Sequence, residues 1–394
     1  MPVLPRSRPP PGGRSLVHPR PLSRGTFFVT NRNPPPGAAP PISANFKYNI
    51  DCLLERPNGI YCLAYKPVHG GKSMGTPNRV YDSIAHLVAN PENPTPLVRL
   101  GRFAGDAPME LFGKLEFMNP FGSVKDRTAA YLLKGLRERG DLPAGKKLVE
   151  PTSGNTGIAL VALANLLGVR ATITVPSALP EEKLTVLRLL GAEVWPTPDD
   201  LCPIHHPKDG AIALAKSIAE GPRTRDAYVM PNQYENPDNV RAHYETTGPE
   251  IWEQTEGRIT HFFAGYGTCG TITGVGRYLK EQNPKVRVIA IQPQKGHRLP
   301  GLKNFEESKQ PEILDPSVVD ETITVPDEPA YRTAIEIART ESLLVGPSAG
   351  AVLWAAREKA RVEGGVGVAI VPDGAFKYMS FYRDWLGDDG KPAV

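Results

Sequence analysis

Lys147-Leu-Val-Glu-Pro-Thr-Ser-Gly-Asn-Thr-Gly-Ile158 decides the fold. Lys147–Glu150 reads as a short strand, and Gly157–Leu167 reads as a helix. Between them, Thr152, Ser153, Gly154, Asn155, Thr156 and Gly157 put three hydroxyls, an amide and two glycines into six positions. Capping by Ser153 or Asn155 needs only one such group. N–H groups and hydroxyls gathered at the positive end of a helix suit a carboxylate or a phosphate. Strand, polar loop and helix in this order form half of a parallel β–α–β unit.

The same alternation extends outward. Ala171–Val175, Ala227–Met230, His261–Gly265, Val286–Ile291 and Val366–Val371 read as further strands. Thr128–Arg139, Glu181–Leu190 and Ile272–Gln282 read as helices between them. The pattern runs from Pro94 to about Leu386 without an internal repeat. That length predicts an α/β protein with two parallel sheets, helices on both faces, and a site in the cleft between them. Tyr81–Val88 reads as a short helix, and residues 42–93 form a small N-terminal extension.

Two more junctions carry glycine and hydroxyls. Gly265-Tyr-Gly-Thr-Cys-Gly-Thr271 follows a strand and precedes a helix. Its spacing of Gly265, Gly267 and Gly270 matches a dinucleotide fingerprint. The next strand, however, ends in Gln292-Pro293, with no acid for a ribose, which disfavours hydride transfer. A phosphate nest for a smaller ligand remains, with Thr268 and Thr271 as donors. The third junction, Gly346-Pro-Ser-Ala-Gly350, leaves Ser348 as either a helix cap or a ligand contact.

Lys125 stands between an apolar stretch and a helix beginning near Asp126. A helix N-terminus and the neighbouring Arg127 should both lower its pKa, as a Schiff-base amine requires. Most lysines are instead solvated surface groups. Cys202, His205, His206 and Asp209 look like a metal cluster, but no second ligand group has matching spacing, and the expectation is no metal.

Composition excludes several other classes. The 394 residues include 46 basic and 42 acidic groups, and no run approaches the ~20 apolar residues of a membrane span. Seven of the basic residues and none of the acidic ones fall within residues 1–50, so the remaining chain is slightly acidic and gives no reason to expect nucleic acid. Residues 1–41 hold 12 prolines and read as a disordered tail. The tail is Arg-rich like an organellar leader, but its prolines oppose an amphipathic helix. Four cysteines without CxxC pairing fit a reducing, cytoplasmic setting.

Taken in order, Thr95-Pro-Leu97, Ser123-Val-Lys-Asp-Arg127, Pro151–Gly157, Gly267–Thr271 and Ser348-Ala-Gly350 resemble the cysteine synthase / cystathionine β-synthase family of pyridoxal-phosphate enzymes, fold type II. The resemblance covers residues 94–386, which it implies to be a catalytic region of two α/β subdomains, the smaller at about 130–240. It implies pyridoxal 5'-phosphate as cofactor, bound to Lys125, which would also move the substrate's α-proton. Asn155 would bond the cofactor's phenolic oxygen, Gly267, Thr268, Cys269, Gly270 and Thr271 its phosphate, and Ser348 its pyridine nitrogen. Cys269 departs from the glycine of many relatives. Thr152, Ser153, Thr156 and Gln233 would hold the amino acid's carboxylate.

The implied reaction replaces the β-substituent of O-acetyl-L-serine or O-phospho-L-serine with sulfide to give L-cysteine, through an aminoacrylate intermediate. The basic stretch Gln292–Asn304 resembles the segment at the substrate mouth, where Lys303, and secondarily Arg298, would pair with a substrate phosphate. Cystathionine β-synthase is the rival enzyme, although the chain ends soon after Val371-Pro-Asp-Gly374, without paired regulatory modules. A serine or threonine dehydratase would need a different loop at Pro151–Gly157. A non-catalytic scaffold would not need Lys125, Asn155 and Ser348 intact. Relatives of this kind are homodimers.

Overall fold

A computed structural model describes residues 80–198 and 208–386. The tail 1–41, most of the extension and the Cys202–His206 cluster lie outside the described residues. The strands are β1 Leu97–Arg99, β2 Met109–Leu115, β3 Lys147–Pro151, β4 Ala171–Pro176, β5 Glu193–Thr197, β6 Tyr228–Val229, β7 His261–Gly265, β8 Arg287–Pro293, β9 Glu321–Val325 and β10 Gly365–Val371. They form a four-stranded parallel sheet, ordered β5-β4-β3-β6, and a six-stranded sheet, ordered β1-β2-β10-β7-β8-β9. Only β1 runs antiparallel to its neighbour in the larger sheet.

Both sheets are covered on both faces, and the sequence alternation shows how. Phe262, Ala264, Val288, Ala290, Val368 and Ile370 enter one core cluster, while Phe263, Ile289, Ile291, Ala369 and Val371 enter another. Side chains two apart share a face, so each apolar strand feeds two layers. In the smaller sheet every residue of β4 is buried. The adjoining helix Asn155–Leu166 is buried from Thr156 through Ala164, so its apolar character on all sides reflects a central position rather than an amphipathic one.

The predicted elements are present with shifted ends. The helices begin at Lys125, Asn155 and Gly270, two or three residues earlier than the apolar periodicity suggests. Polar first turns carry no periodic signal, but they set which residue stands at the helix entrance. Tyr81–Val88 is a single 3-10 turn over Ile84–Leu87, capped by the Ser83 hydroxyl. Strands β1, β2, β5 and β9 are additional. In β9 the exposure alternates, and β5 is an edge strand that accommodates Pro196, so neither shows a continuous apolar run.

The helix Lys125–Glu138 joins the two sheet layers. Its Ala129, Leu133 and Leu136 pack with Leu148 and Ile158 of the smaller sheet's core. Its Arg127 points the other way, into a fully buried ion network. Arg127 Nε and Nη2 donate to Glu116 at 2.8 and 2.9 Å, and Nη2 also donates to Glu250 at 2.7 Å. Arg127 Nη1 makes a second, short bond to Glu250. Lys114 donates to Glu250 at 2.6 Å and to the Thr95 carbonyl at 2.8 Å. Burial alone would raise the Glu116 pKa, but the charge and hydrogen bonds of Arg127 bring it down to about 2. Among the described residues no helix is long and apolar enough to cross a membrane.

Removing one member strands the others in the interior. Arg127→Leu should therefore lower unfolding free energy by about 3–5 kcal/mol, read as a fall in the denaturant midpoint.

Candidate active site

The cleft collects loops that leave the carboxyl ends of parallel strands in both sheets, the usual location of a ligand in open α/β folds. Pro151 ends β3 and Thr152 and Ser153 follow it, Gly267 to Cys269 follow β7, and Pro372 and Asp373 follow β10. Lys125, Asn155, Thr156, Gln233, Thr271, Lys303 and Ser348 complete the lining expected from the sequence. Gly270, between Cys269 and Thr271, is buried at the start of its helix, where a Cβ would come within 2.1 Å of Asn239 Oδ1. Arg298 is exposed, its N–H donating to Asp327 at 2.8 Å, and the structure does not bring it to the cleft.

Lys125 is the first residue of its helix. Desolvation in the cleft pushes its ammonium below the ordinary value, and the charges of Asp373 and Glu116 partly oppose this. The direction agrees with the sequence reading but the cause does not, because Arg127 spends its charge on Glu116 and Glu250. The Val124 N–H donates to the Pro372 carbonyl at 2.8 Å, which ties the lysine's approach to the loop after β10.

The glycine-threonine loop is a shaped cradle. Cys269 adopts a left-handed conformation, φ +67°, and turns the chain into the helix Gly270–Gln282. Its thiol is buried, with Sγ 3.9 Å from the Gly267 carbonyl, and desolvation pushes its pKa up to about 12, so it stays protonated at neutral pH. The departure from glycine is thus accommodated within the fold. A Cβ on Gly267 would stand 2.7 Å from the Gly301 carbonyl, so only glycine permits this approach.

A second layer orients the hydroxyls. Asn239 Nδ2 donates to Thr268 Oγ1 at 3.1 Å and to the Gln233 carbonyl at 2.8 Å. His243 lies in a π-helical turn, with Nε2 3.2 Å from Thr271 Oγ1 and Nδ1 2.9 Å from Thr247 Oγ1. Burial and the nearby cations Arg127 and Lys125 push it down to about 3, so it is a neutral partner. On the opposite side, Thr156 donates to Gln233 Oε1 at 2.5 Å, and Gln233 Nε2 donates to the Pro151 carbonyl at 2.9 Å. Glu150 accepts the Asn232 and Gln233 N–H groups at 2.8 and 3.0 Å, fixing this segment from below. Asn155 Nδ2 donates to Asp373 at 2.6 Å.

Asn239, His243 and Asp373 were not singled out by the sequence. Asp373 had a usable signal, since it follows a parallel strand at the end where ligands bind. Asn239 and His243 had none, because buried second-layer polar residues follow no spacing rule.

Comparison with known proteins agrees with this geometry. Residues 88–373 match the family described as pyridoxal-phosphate dependent enzymes. The chain is 43% identical over 308 residues to a cysteine synthase of Aquifex aeolicus, covering 76% of this chain and 91% of that protein. It is 41% identical over 287 residues to a cysteine synthase B of Salmonella typhimurium, covering 73% and 92%. Among solved structures, an O-ureido-L-serine synthase matches with a TM-score of 0.71 at 32% identity, covering 79% of this chain and 97% of that one. A cysteine synthase from Entamoeba histolytica matches at 0.69 and 30%, covering 82% and 96%.

The cradle yields a direct expectation. Gly267→Ala should cost about 1–3 kcal/mol of overpacking, so pyridoxal phosphate should be held roughly 10- to 100-fold less tightly, measured by the cofactor retained on dialysis.

Proposed function

The chain belongs to the pyridoxal-phosphate dependent enzymes, and on that premise we propose that it makes L-cysteine from an activated serine and sulfide by β-replacement. Pyridoxal phosphate is its cofactor. The observation that carries the reading is the position of Lys125, a desolvated amine in a cleft shared with Asn155, the Gly267–Thr271 cradle and Ser348. The fit is supported by two buried oxygens, Asn155 Oδ1 and Asp373 Oδ1, that no protein group satisfies. Buried acceptors of this kind need a partner, which a bound group can provide.

Bound in the cleft, the cofactor supplies an electrophilic carbon and an electron-accepting ring. Lys125 Nζ would hold it and take the substrate's α-proton, a task that suits an amine kept short of permanent charge. Asn155 would hold the ring oxygen, and the backbone N–H groups at the start of helix Gly270–Gln282 would hold the phosphate together with Thr268 and Thr271. Ser348, which lines the cleft, would be the partner of the pyridine nitrogen. A neutral hydroxyl there does not deliver a proton as an aspartate would, and the milder electron demand favours loss of the β-substituent over transamination. Thr152, Ser153, Thr156 and Gln233 hold the substrate's carboxylate, with Thr156 and Gln233 already fixed to each other.

Lys303 lines the same cleft, its Nζ 5.0 Å from the centre of the Tyr234 ring. We assign it the β-substituent, which an ammonium can recognise as the phosphate of O-phosphoserine. The resemblance supports a homodimer, and the thiol usage supports a cytoplasmic enzyme.

Purified protein should be yellow, and Lys125→Ala should abolish the visible band. With sulfide, O-acetylserine or O-phosphoserine should yield cysteine faster than serine and homocysteine yield cystathionine; the reverse order would refute the assignment. Lys303→Ala should reduce kcat/KM for O-phosphoserine about tenfold or more relative to O-acetylserine, as loss of a charge-assisted contact predicts. Equal losses with both donors would remove Lys303 from phosphate recognition.

A further inference from the structure

Asp373 lines the cleft, yet the reaction as described gives it no task. Several segments converge on it. Its backbone bridges to Ser123, two residues before Lys125. Its Oδ2 accepts Asn155 Nδ2 at 2.6 Å and the Tyr378 hydroxyl in a short hydrogen bond. That hydroxyl accepts from Lys183 Nζ at 2.7 Å, and the same ammonium lies 4.1 Å from the centre of the Tyr378 ring. On another side stands Gly346, which opens the segment bearing Ser348. A Cβ at that position would meet Asp373 Oδ1 at 2.1 Å, so the chain has left room for the carboxylate. Oδ1 itself is buried and receives no hydrogen bond from the protein.

A buried carboxylate with one oxygen doubly bonded and the other bare is oriented but incompletely neutralised. We propose that Asp373 is a positioning residue for the cofactor-bearing lysine: its carboxylate aims the Asn155 amide and supplies the negative charge that keeps a proton on Lys125 Nζ. This rests on the reading of Lys125 as the amine that holds the cofactor.

The surrounding charges favour that role. The Asp373 carboxylate acts electrostatically on Lys125, Lys183 and Lys377 and on the hydroxyls of Tyr378 and Tyr382. Glu116 acts on Lys125 from another element, whereas the Cys269 thiol is protonated and adds no charge. Burial pushes Lys183 down to about 7, so near neutrality it is only a partial counter-ion and leaves much of the Asp373 charge to act on Lys125. Both tyrosines are driven far upward by burial and remain neutral donors. Among the charges acting on Lys125, Asp373 exerts the largest effect that opposes desolvation.

The test is a pH titration of the visible absorbance of the holoenzyme, which reports protonation at the Lys125 nitrogen whether or not turnover occurs. In Asp373→Asn the midpoint should fall by about one pH unit or more, the size expected for losing a close opposite charge. Asp373→Ser, a smaller uncharged replacement, should shift it in the same direction if the asparagine variant does not fold. Tyr378→Phe keeps the carboxylate while removing one of its donors, so its midpoint should stay at or above that of the wild type. Neutral variants that titrate with the wild type overturn the inference and leave the Lys125 assignment standing. A fall in Tyr378→Phe as large as in Asp373→Asn also overturns it, because packing rather than charge would then set the midpoint. A wild-type protein with no visible band overturns the Lys125 assignment and this inference with it.

Discussion

The buried contact of Arg127 with Glu116 and Glu250 is the constraint on which the site depends. Ionised groups carry a desolvation cost of several kcal/mol each, and they persist in an interior only where geometry and hydrogen bonds offset it. Here every guanidinium nitrogen of Arg127 meets a carboxylate, and Lys114 balances the second acid. The three elements involved belong to different layers: β2 and its following turn, the helix Gly248–Gln254, and the helix Lys125–Glu138. Because Arg127 is two residues from Lys125, fixing the guanidinium fixes the entrance of the helix and hence the amine. Apolar packing alone would hold the helix against the smaller sheet but would tolerate sliding. A network of directional bonds to the other sheet does not.

The cleft divides recognition between backbone and side chains. At the cradle, close approach is secured by Gly267 and by the left-handed turn at Cys269, and the hydroxyls of Thr268 and Thr271 are aimed by Asn239 and His243. A histidine pushed down to about 3 adds no charge behind the cradle, which therefore offers an anion N–H dipoles and hydroxyls. At the carboxylate side the logic is similar. Thr156 is paired with Gln233, and Gln233 is held at its side chain by Pro151 and at its backbone by Glu150. Both halves are therefore ordered by the protein itself, which lowers the entropic cost of closing on a small ligand.

Much of this was legible in the sequence because the determinants are local. Strand, polar loop and helix follow one another without a break at Glu150–Gly157 and again at Gly265–Thr271. Parallel sheets bury both faces, so their strands stand out as continuous apolar runs. Edge strands β5 and β9 lack such runs and left no comparable trace. The direction of the Lys125 shift was readable, but its cause was not. Sequence proximity suggested Arg127, whereas the fold turns that side chain toward acids 11 and 123 positions away. Arg298 and Lys303 show the same limit. Both are cations in one basic stretch, yet the loop bends so that only Lys303 faces the cleft.

The distribution of charge in the cleft follows from these placements. Burial depresses the pKa of Lys125, which lines the cleft, and of Lys183 and Lys377, which do not, so these amines can lose their charge. Arg127, the nearest guanidinium in sequence, is paired with Glu116 and Glu250 in its own network. The Asp373 carboxylate opposes the desolvation of Lys125, and the low local polarity leaves its field weakly screened. On the role proposed for Lys125, an amine that held a cofactor, released it and carried a proton within one cycle would require a charge that can change. A desolvated lysine beside one oriented carboxylate would meet that requirement, and a fully paired lysine would not.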